Sequence, residues 1–469
     1  MTSPRHQHHN RCLNIAERIF LAQSVEVCSK SYPLMIHVIA IAFLLLIGLM
    51  FGASMLVYSA YVLIAVYWIS SFLARRWTES LRAVRTMSHS ELEVGQATQI
   101  QLRLDNSGTL SIAWVLIDDA LPRAVFVGPP ALELTGNNLR ICSVPAKSSR
   151  IVTYRLQALR RGYFQIGPTI AETGDLLGLF RRFRALTTPT FLSVLPRVIA
   201  LEGYDVASSR PVGEVRVTYR LMEDPTMISG IRKYQHGDPL RSIHWRATAR
   251  TGELQSKQYQ PTSVAGATLV VDMHSDSNPD RHEPMRGDLA VTAAASICHT
   301  LMQVQQPFGL VSNGRDAADR FAEATAGQEF ASMEEASRRV AMQQSSDRLR
   351  PVILPADRGP EHFVAIHKTL ARLERTDGLR LDELLVEAES RIARDTTVLV
   401  IVQEVNETAA LALGMLRRRG FSVSAIVNNF DNEAYTSAVG RLLAQHIVVY
   451  HLLDERSIPT ICKDMVLRY

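Results

Sequence analysis

The residues whose types and spacing could do chemistry cluster in one stretch of this 469-residue chain. It runs Gly237-Asp238-Pro239-Leu240-Arg241-Ser242-Ile243-His244-Trp245-Arg246 and on to Arg250, with Tyr234 just upstream. An aspartate and a histidine this close suggest acid–base work, but no nucleophile stands beside them. A hydrolase built on Asp238 and His244 is therefore the least favoured reading. Physically the stretch reads as a capped helix. Asp238 accepts from the first free N–H groups and Pro239 suits the first helical position. Arg250 complements the helix dipole, and Gly252 can close the last turn. Tyr234, Gly237, Asp238, Arg241, His244, Trp245 and Arg250 are read as a structural or docking signature, with Ile243 and Trp245 offering apolar contact and Arg241 and Arg246 charge.

The elements that must position this stretch differ on its two sides. After Pro261 strands and helices alternate: Ala267–Val271, a helix over 288–305, Phe308–Val311, a helix over 361–374, Thr397–Val402, a helix over 407–419 ended by Gly420, Ser422–Val427, and a last strand over 447–452. That alternation implies a parallel sheet with helices on both faces. Upstream, from about Glu91 to Pro196, the period is two. Ile100, Leu102 and Leu104 alternate with polar residues before the Asp105-Asn106-Ser107-Gly108 turn, and Val152, Tyr154 and Leu156 do the same. Short strands separated by turns suggest a small β-sandwich.

Nearer the start, no Asp, Glu, Lys or Arg occurs from Ser31 to Ala74. One membrane span needs about 20 apolar residues, so this stretch suits two, with a turn at Gly52-Ala53-Ser54. A cleaved signal peptide fits badly, because its apolar region runs only about 7–15 residues. Arg11, Arg18 and Lys30 precede the hairpin, and Arg75, Arg76, Arg82 and Arg85 follow it, which places both flanks and both termini in the cytoplasm. The expected location is the bacterial inner membrane, crossed twice. His37, Tyr58, Tyr61 and Tyr67 read as interfacial or packing groups.

Bulk composition excludes several classes. A net charge of +5 and short basic runs without interleaved aromatics argue against nucleic acid as a partner. The five cysteines Cys12, Cys28, Cys142, Cys298 and Cys462 form no C-x-x-C pair, which argues against a zinc site or a disulfide framework. His6, His8 and His9 sit on a polar tail. No Gly-rich phosphate loop occurs, so no nucleotide is expected on this chain.

The stretch from Gly230 to Tyr259 resembles the signature of the bacterial family known as domain of unknown function number 58. Arg161-Gly162-Tyr163-Phe164-Gln165-Ile166-Gly167-Pro168 and Gly178-Leu179-Phe180 look like that family's upstream motifs. Its usual Asp-Pro-Phe-Gly-Leu-Phe stands here as Asp175-Leu176-Leu177-Gly178-Leu179-Phe180, a departure at two positions. The likeness covers about Pro33 to the end. It implies a von Willebrand factor A-like C-terminal domain and association with a MoxR-type AAA+ ATPase. Such domains often carry a Mg²⁺ site built on Asp-x-Ser-x-Ser at the sheet's edge. Asp272, Ser275 and Asp276 are the candidate ligands here, but His274 stands at the first serine position, and imidazole suits Mg²⁺ poorly. Gln403-Glu404 stands where an aspartate would be expected. The site reads as degenerate and no cofactor is expected.

The resulting expectation is a multidomain chain. It has a cytoplasmic tail over 1–31, a two-helix transmembrane hairpin over 32–74 and a β-rich, sandwich-like domain over 88–200. A connecting segment with the signature covers 201–262, and a Rossmann-like (von Willebrand factor A-like) α/β domain covers 263–469. Its expected role is a non-enzymatic, membrane-anchored scaffold or adaptor that works with the AAA+ ATPase in assembling protein complexes. The alternative is a metal-dependent adhesion module that binds a carboxylate-bearing ligand through Asp272.

Overall fold

The computed structural model describes residues 32–122, 125–126, 128–201, 222–234, 243–262, 266–320, 329–330, 332–333, 335, 349–392 and 397–461. The tail with its histidines, Cys12, Cys28, Cys462, Gly237, Asp238, Pro239 and Arg241 lie outside them. Cys142 and Cys298 are free thiols.

Two helices open the described chain, Tyr32–Met50 and Ser54–Ser80. Gly52, at φ +64°, lies in the turn between them. The second has 27 residues, about 40 Å at 1.5 Å per residue, and is long and apolar enough to cross a membrane. Within the described residues the first contributes a shorter apolar stretch, Ile39–Met50. Phe43, Leu49, Met55, Trp68 and Ile69 are largely exposed, so the protein itself does not cover these apolar faces.

The second helix outruns its apolar part. Ala74, Trp77 and Thr78 are buried against the β domain, and the Thr78 carbonyl accepts from Arg184 Nη1 at 3.0 Å. The next residue, Leu81, is buried and already begins the strand Leu81–Met87. The helix thus ends beyond residue 74, the β domain begins before residue 88, and no linker separates the two.

Three sheets build that domain. The four-stranded one orders Leu81–Met87, Ala97–Asn106, Ser149–Ala158 and Leu132–Thr135, all antiparallel. Ile100, Leu102 and Leu104 face inward, as do Val152, Tyr154 and Leu156, so the period-two pattern marks the core face. A buried ion pair crosses the interior: Arg85 Nε meets Asp119 Oδ2 at 3.1 Å, and both side chains are 1% exposed. Tyr154 donates to Asp119 Oδ2 at 2.6 Å, and Arg85 donates to the Ile166 carbonyl at 2.9 Å and to Thr169 Oγ1 at 2.9 Å. A charge pair this dry is stable only because those bonds satisfy its remaining lone pairs and protons.

The C-terminal region is a six-stranded sheet between helices. In chain order its strands are Ala267–Val271, Phe308–Ser312, Val352–Asp357, Thr397–Val402, Ser422–Val427 and Val448–His451. Their spatial order is 3-2-1-4-5-6, parallel except for the antiparallel edge strand Val352–Asp357. Alternate residues of the central strands feed two separate cores. Leu269, Val271, Leu399 and Ile401 enter one, while Val270, Val398, Val400 and Val402 enter the other. Burial on both faces explains why these strands read as continuous apolar runs. The edge strand and the helices Leu381–Ala388 and Asn432–Ala444 were not anticipated. Pro355 lies in that edge strand, where a missing ladder donor is tolerated.

The signature is a hairpin with a short helix in its connection. Met222–Lys233 pairs antiparallel with Gln255–Thr262, and Trp245–Thr251 forms the helix. Gly252 closes it in the left-handed conformation, as expected. The N-cap differs from expectation. His244 is not helical; it caps, its Nδ1 accepting from Ala247 N at 3.1 Å. Ile243 is buried, whereas Trp245 is 68% exposed.

The β and α/β domains meet at several points, among them the motif Arg161–Pro168 and the pairing of Arg181–Ala185 with Glu329–Phe330. Arg161 Nε lies 2.9 Å from Asp288 Oδ1, and its Nη1 donates to the carbonyls of Leu370 and Leu373 at 2.9 and 2.8 Å. Arg160 reaches the other Asp288 oxygen at 2.8 Å. Nearby, His367 Nε2 meets the Pro196 carbonyl at 2.8 Å and Lys368 pairs with Glu91 at 2.6 Å. Removing the Arg161 side chain leaves two carbonyls and a carboxylate short of a donor. Arg161→Ala is expected to lose about 3 kcal/mol in a denaturant titration of the full chain, as breaking a buried pair does. Trp245→Ala should stay within about 0.5 kcal/mol of the parent, as exposed substitutions do. The reverse ranking would place the domain contact at the signature.

Candidate functional site

The carboxyl edge of the six-stranded sheet is the crevice where doubly wound folds place ligands. Four strands in sheet order, Phe308–Ser312, Ala267–Val271, Thr397–Val402 and Ser422–Val427, are each followed at once by a buried polar residue: Asn313, Asp272, Gln403 and Asn428. The row holds one carboxylate and three amides.

Asp272 is 2% exposed and already well bonded. Its Oδ1 accepts from Asn313 Nδ2 at 2.7 Å and from the His274 amide at 3.0 Å, while Oδ2 accepts from Ser277 Oγ at 2.5 Å. Burial raises its pKa above the ordinary range, and these three bonds and the nearby His274 offset only part of that. The other two candidate ligands do not gather round it. Ser275 donates its amide to the Thr376 carbonyl at 2.8 Å, and Asp276, 62% exposed, turns to Arg380 at 3.3 Å. Among the described residues, no group of three or more His, Cys, Asp or Glu side chains could hold a metal ion. The donor set fits Mg²⁺ poorly, because three protein donors already occupy the one buried carboxylate.

Beside Asp272 opens a cavity of about 290 Å³ whose lining includes Asp276, Ser277, Arg380, Glu404, Asn406 and Arg441. Helix ends help shape it: Asn406 caps Glu407–Arg418 by accepting from Ala409 N at 2.8 Å. Arg441 donates to the Val405 carbonyl at 2.5 Å, which fixes that side chain at the rim. With both signs of charge and several neutral donors, the cavity suits a polar side chain or chain terminus.

Sequence reasoning placed Asp272 at this edge but missed Asn313, Ser277, Arg380 and Arg441. The signal for Asn313 was present, a polar residue directly after an apolar strand. Arg380 and Arg441 came from helices not anticipated. Of the signature residues, Tyr234, His244, Trp245 and Arg250 lie on the hairpin and its helix, outside the lining of this cavity.

Residues 230–348 match the model of a family described as protein of unknown function DUF58. The DUF58 match begins in the signature hairpin and includes the first strand, helix and second strand of the α/β domain. The chain is also 24% identical over 239 residues to the protein named YeaD from Bacillus subtilis strain 168, described as uncharacterized. That alignment covers 50% of this chain and 57% of YeaD, so the chain spans little more than half of that relative's length. These two findings support DUF58 as the family.

Among solved structures, the CARDB domain of a Pyrococcus furiosus protein aligns at 11% identity over 24% of this chain and 91% of that one, with a TM-score of 0.17. Proximal thread matrix protein 1 of the mussel byssus aligns at 13% over 43% and 44%, with a TM-score of 0.24. Scores this low carry no argument about fold or function.

The raised pKa of Asp272 makes a prediction about stability. A carboxyl more easily protonated in the folded state stabilises the fold below its unfolded pKa of about 3.9, and that contribution fades as pH rises through the folded value. Asp272→Asn lacks this dependence, and its amide can still bond Ser277 and Asn313. The midpoint of the variant relative to the parent should therefore shift upward as pH rises from about 4 through the raised folded value. A relative midpoint that falls over that range contradicts the assignment.

Proposed function

We propose that this chain is a membrane-anchored, non-enzymatic scaffold whose strand-edge cavity receives a protein partner. The observation that carries this reading is the absence of any joint between helix and β domain, together with the Arg161 contacts that tie the β domain to the α/β domain. A tether alone would need neither. The two helices form a hairpin that crosses the bacterial inner membrane twice, with both termini in the cytoplasm, where the flanking arginines favour them. The 3-2-1-4-5-6 strand order supports a von Willebrand factor A-like domain, with the cavity at the edge where such domains bind partners.

The partner the family resemblance implies is a MoxR-type AAA+ ATPase, with ATP hydrolysed by the partner and this chain contributing recognition in the assembly of complexes. A metal-dependent adhesion module is less well supported, since three protein donors engage Asp272. A hydrolase is disfavoured too, because His244 uses Nδ1 as a helix cap.

Affinity capture of the detergent-solubilised chain, with and without a non-hydrolysable ATP analogue, tests the proposal. Retention of an AAA+ ATPase should depend on nucleotide. Arg380→Glu, which reverses an exposed charge at the cavity rim, should weaken it about tenfold, within the range of a lost charge contact. Capture of no ATPase, or capture indifferent to both changes, rejects this function.

A further inference from the structure

The loop 175–180 of the β domain is apolar and exposed. Leu176 and Leu177 are 68% and 65% exposed, and Leu179 is 41% exposed. Three exposed leucines in four residues are costly in water unless something covers them.

The loop is built rather than loose. The buried Asp175 carboxylate accepts from the amide of Leu177 at 3.0 Å and from that of Phe180 at 2.6 Å. The Asp175 amide in turn donates to the Phe180 carbonyl at 3.2 Å. Trp114 Nε1 donates to the Asp175 carbonyl at 3.3 Å. Gly174 is required at the base, since a Cβ there would lie 2.2 Å from the Phe180 oxygen. These bonds satisfy backbone groups inside the turn, while the leucines point away from the domain's own core.

Its position identifies what covers it. The Phe180 ring stands edge-on against Tyr67 of the long helix, with centroids 5.0 Å apart. Tyr67 precedes the exposed Arg75 and Arg76 by two turns, roughly 12 Å along the axis. If those arginines mark the headgroup level, as the anchor reading requires, the loop is held beside the helix on its membrane side. Segments that lie in the boundary between headgroups and acyl chains bury their apolar faces by about 5–10 Å, slightly less than this offset. Arg76 also leans back over the Phe72 ring at 5.4 Å, which lets the charge stay at the surface while its stem covers apolar helix.

We infer that the loop Asp175–Phe180 is a second membrane contact, its leucines seated in the headgroup–acyl boundary of the leaflet from which the β domain emerges. The inference rests on the anchor reading and deepens it. The helices alone leave the rigid body free to tilt against the bilayer surface; a loop in the same leaflet limits that tilt and holds the α/β domain at a defined angle to the membrane.

The test uses the full chain in nanodiscs of phosphatidylethanolamine and phosphatidylglycerol, with its native cysteines replaced. Spin labels go at Leu177→Cys, at Ile69→Cys in the long helix and at Val386→Cys on the α/β domain. Collision rates with oxygen and with a water-soluble nickel chelate are compared. The oxygen-to-nickel ratio at position 177 should exceed that at 386 by about threefold or more and approach the lipid-facing value at 69. A label at Leu176→Cys should behave like that at 177. An aqueous ratio at 176 and 177, with 69 in lipid, overturns the loop inference and leaves the anchor standing. An aqueous ratio at 69 overturns the anchor, and the loop contact with it.

Discussion

Everything beyond the long apolar helix depends on one constraint: the helix Ser54–Ser80 becomes the strand Leu81–Met87 without a spare residue between. A helix end followed by a flexible linker would let the soluble part wander. Here Trp77, Thr78 and Leu81 are buried at the junction, and Arg184 secures the helix's last turns. Bending the joint would expose that surface and break the bond, so the orientation of the helix is inherited by the β domain. Arg85, in the first strand, then ties that strand into the interior through its dry pair with Asp119. Arg161 passes the same orientation on to the α/β domain. The chain behaves as a relay of short, buried contacts rather than as beads on a string.

That relay gives the strand-edge cavity its meaning. A row of three amides and one carboxylate is a poor cation site, because amides are neutral and the carboxylate is already bonded. The same row holds the loops of the edge in place, leaving the rim, with Arg380, Arg441, Asp276 and Glu404, to meet whatever arrives. Fixed polar groups at the rim are what the proposed scaffold role calls for, because recognition gains from a defined geometry.

Much of the fold was legible where burial is simple. The strands Ala267–Val271, Thr397–Val402 and Ser422–Val427 coincide with the expected runs, because a strand buried on both faces has no polar interruptions. The Ile100–Leu104 alternation marks a strand with one wet face. What escaped was less regular. Val352–Asp357 carries Pro355 on an edge, and Asn432–Ala444 buries little beyond Ala438 and Leu442. Long-range roles escaped as well. Arg161 stood in a quoted motif, yet only the fold brings it to Asp288 and the end of a helix more than two hundred residues away. His244, read as a helical residue, is the cap, since its Nδ1 can accept from the Ala247 amide as a carboxylate would.

The central claim, one rigid body from the long apolar helix to the α/β domain, is tested most directly by the distance distribution between spin labels at Ile69→Cys and Val386→Cys. The measurement is made by double electron–electron resonance on the full chain in nanodiscs. The account predicts a single narrow distribution that broadens when a Gly-Gly-Ser segment is inserted between Ser80 and Leu81. A broad or multiple distribution without the insertion would contradict it.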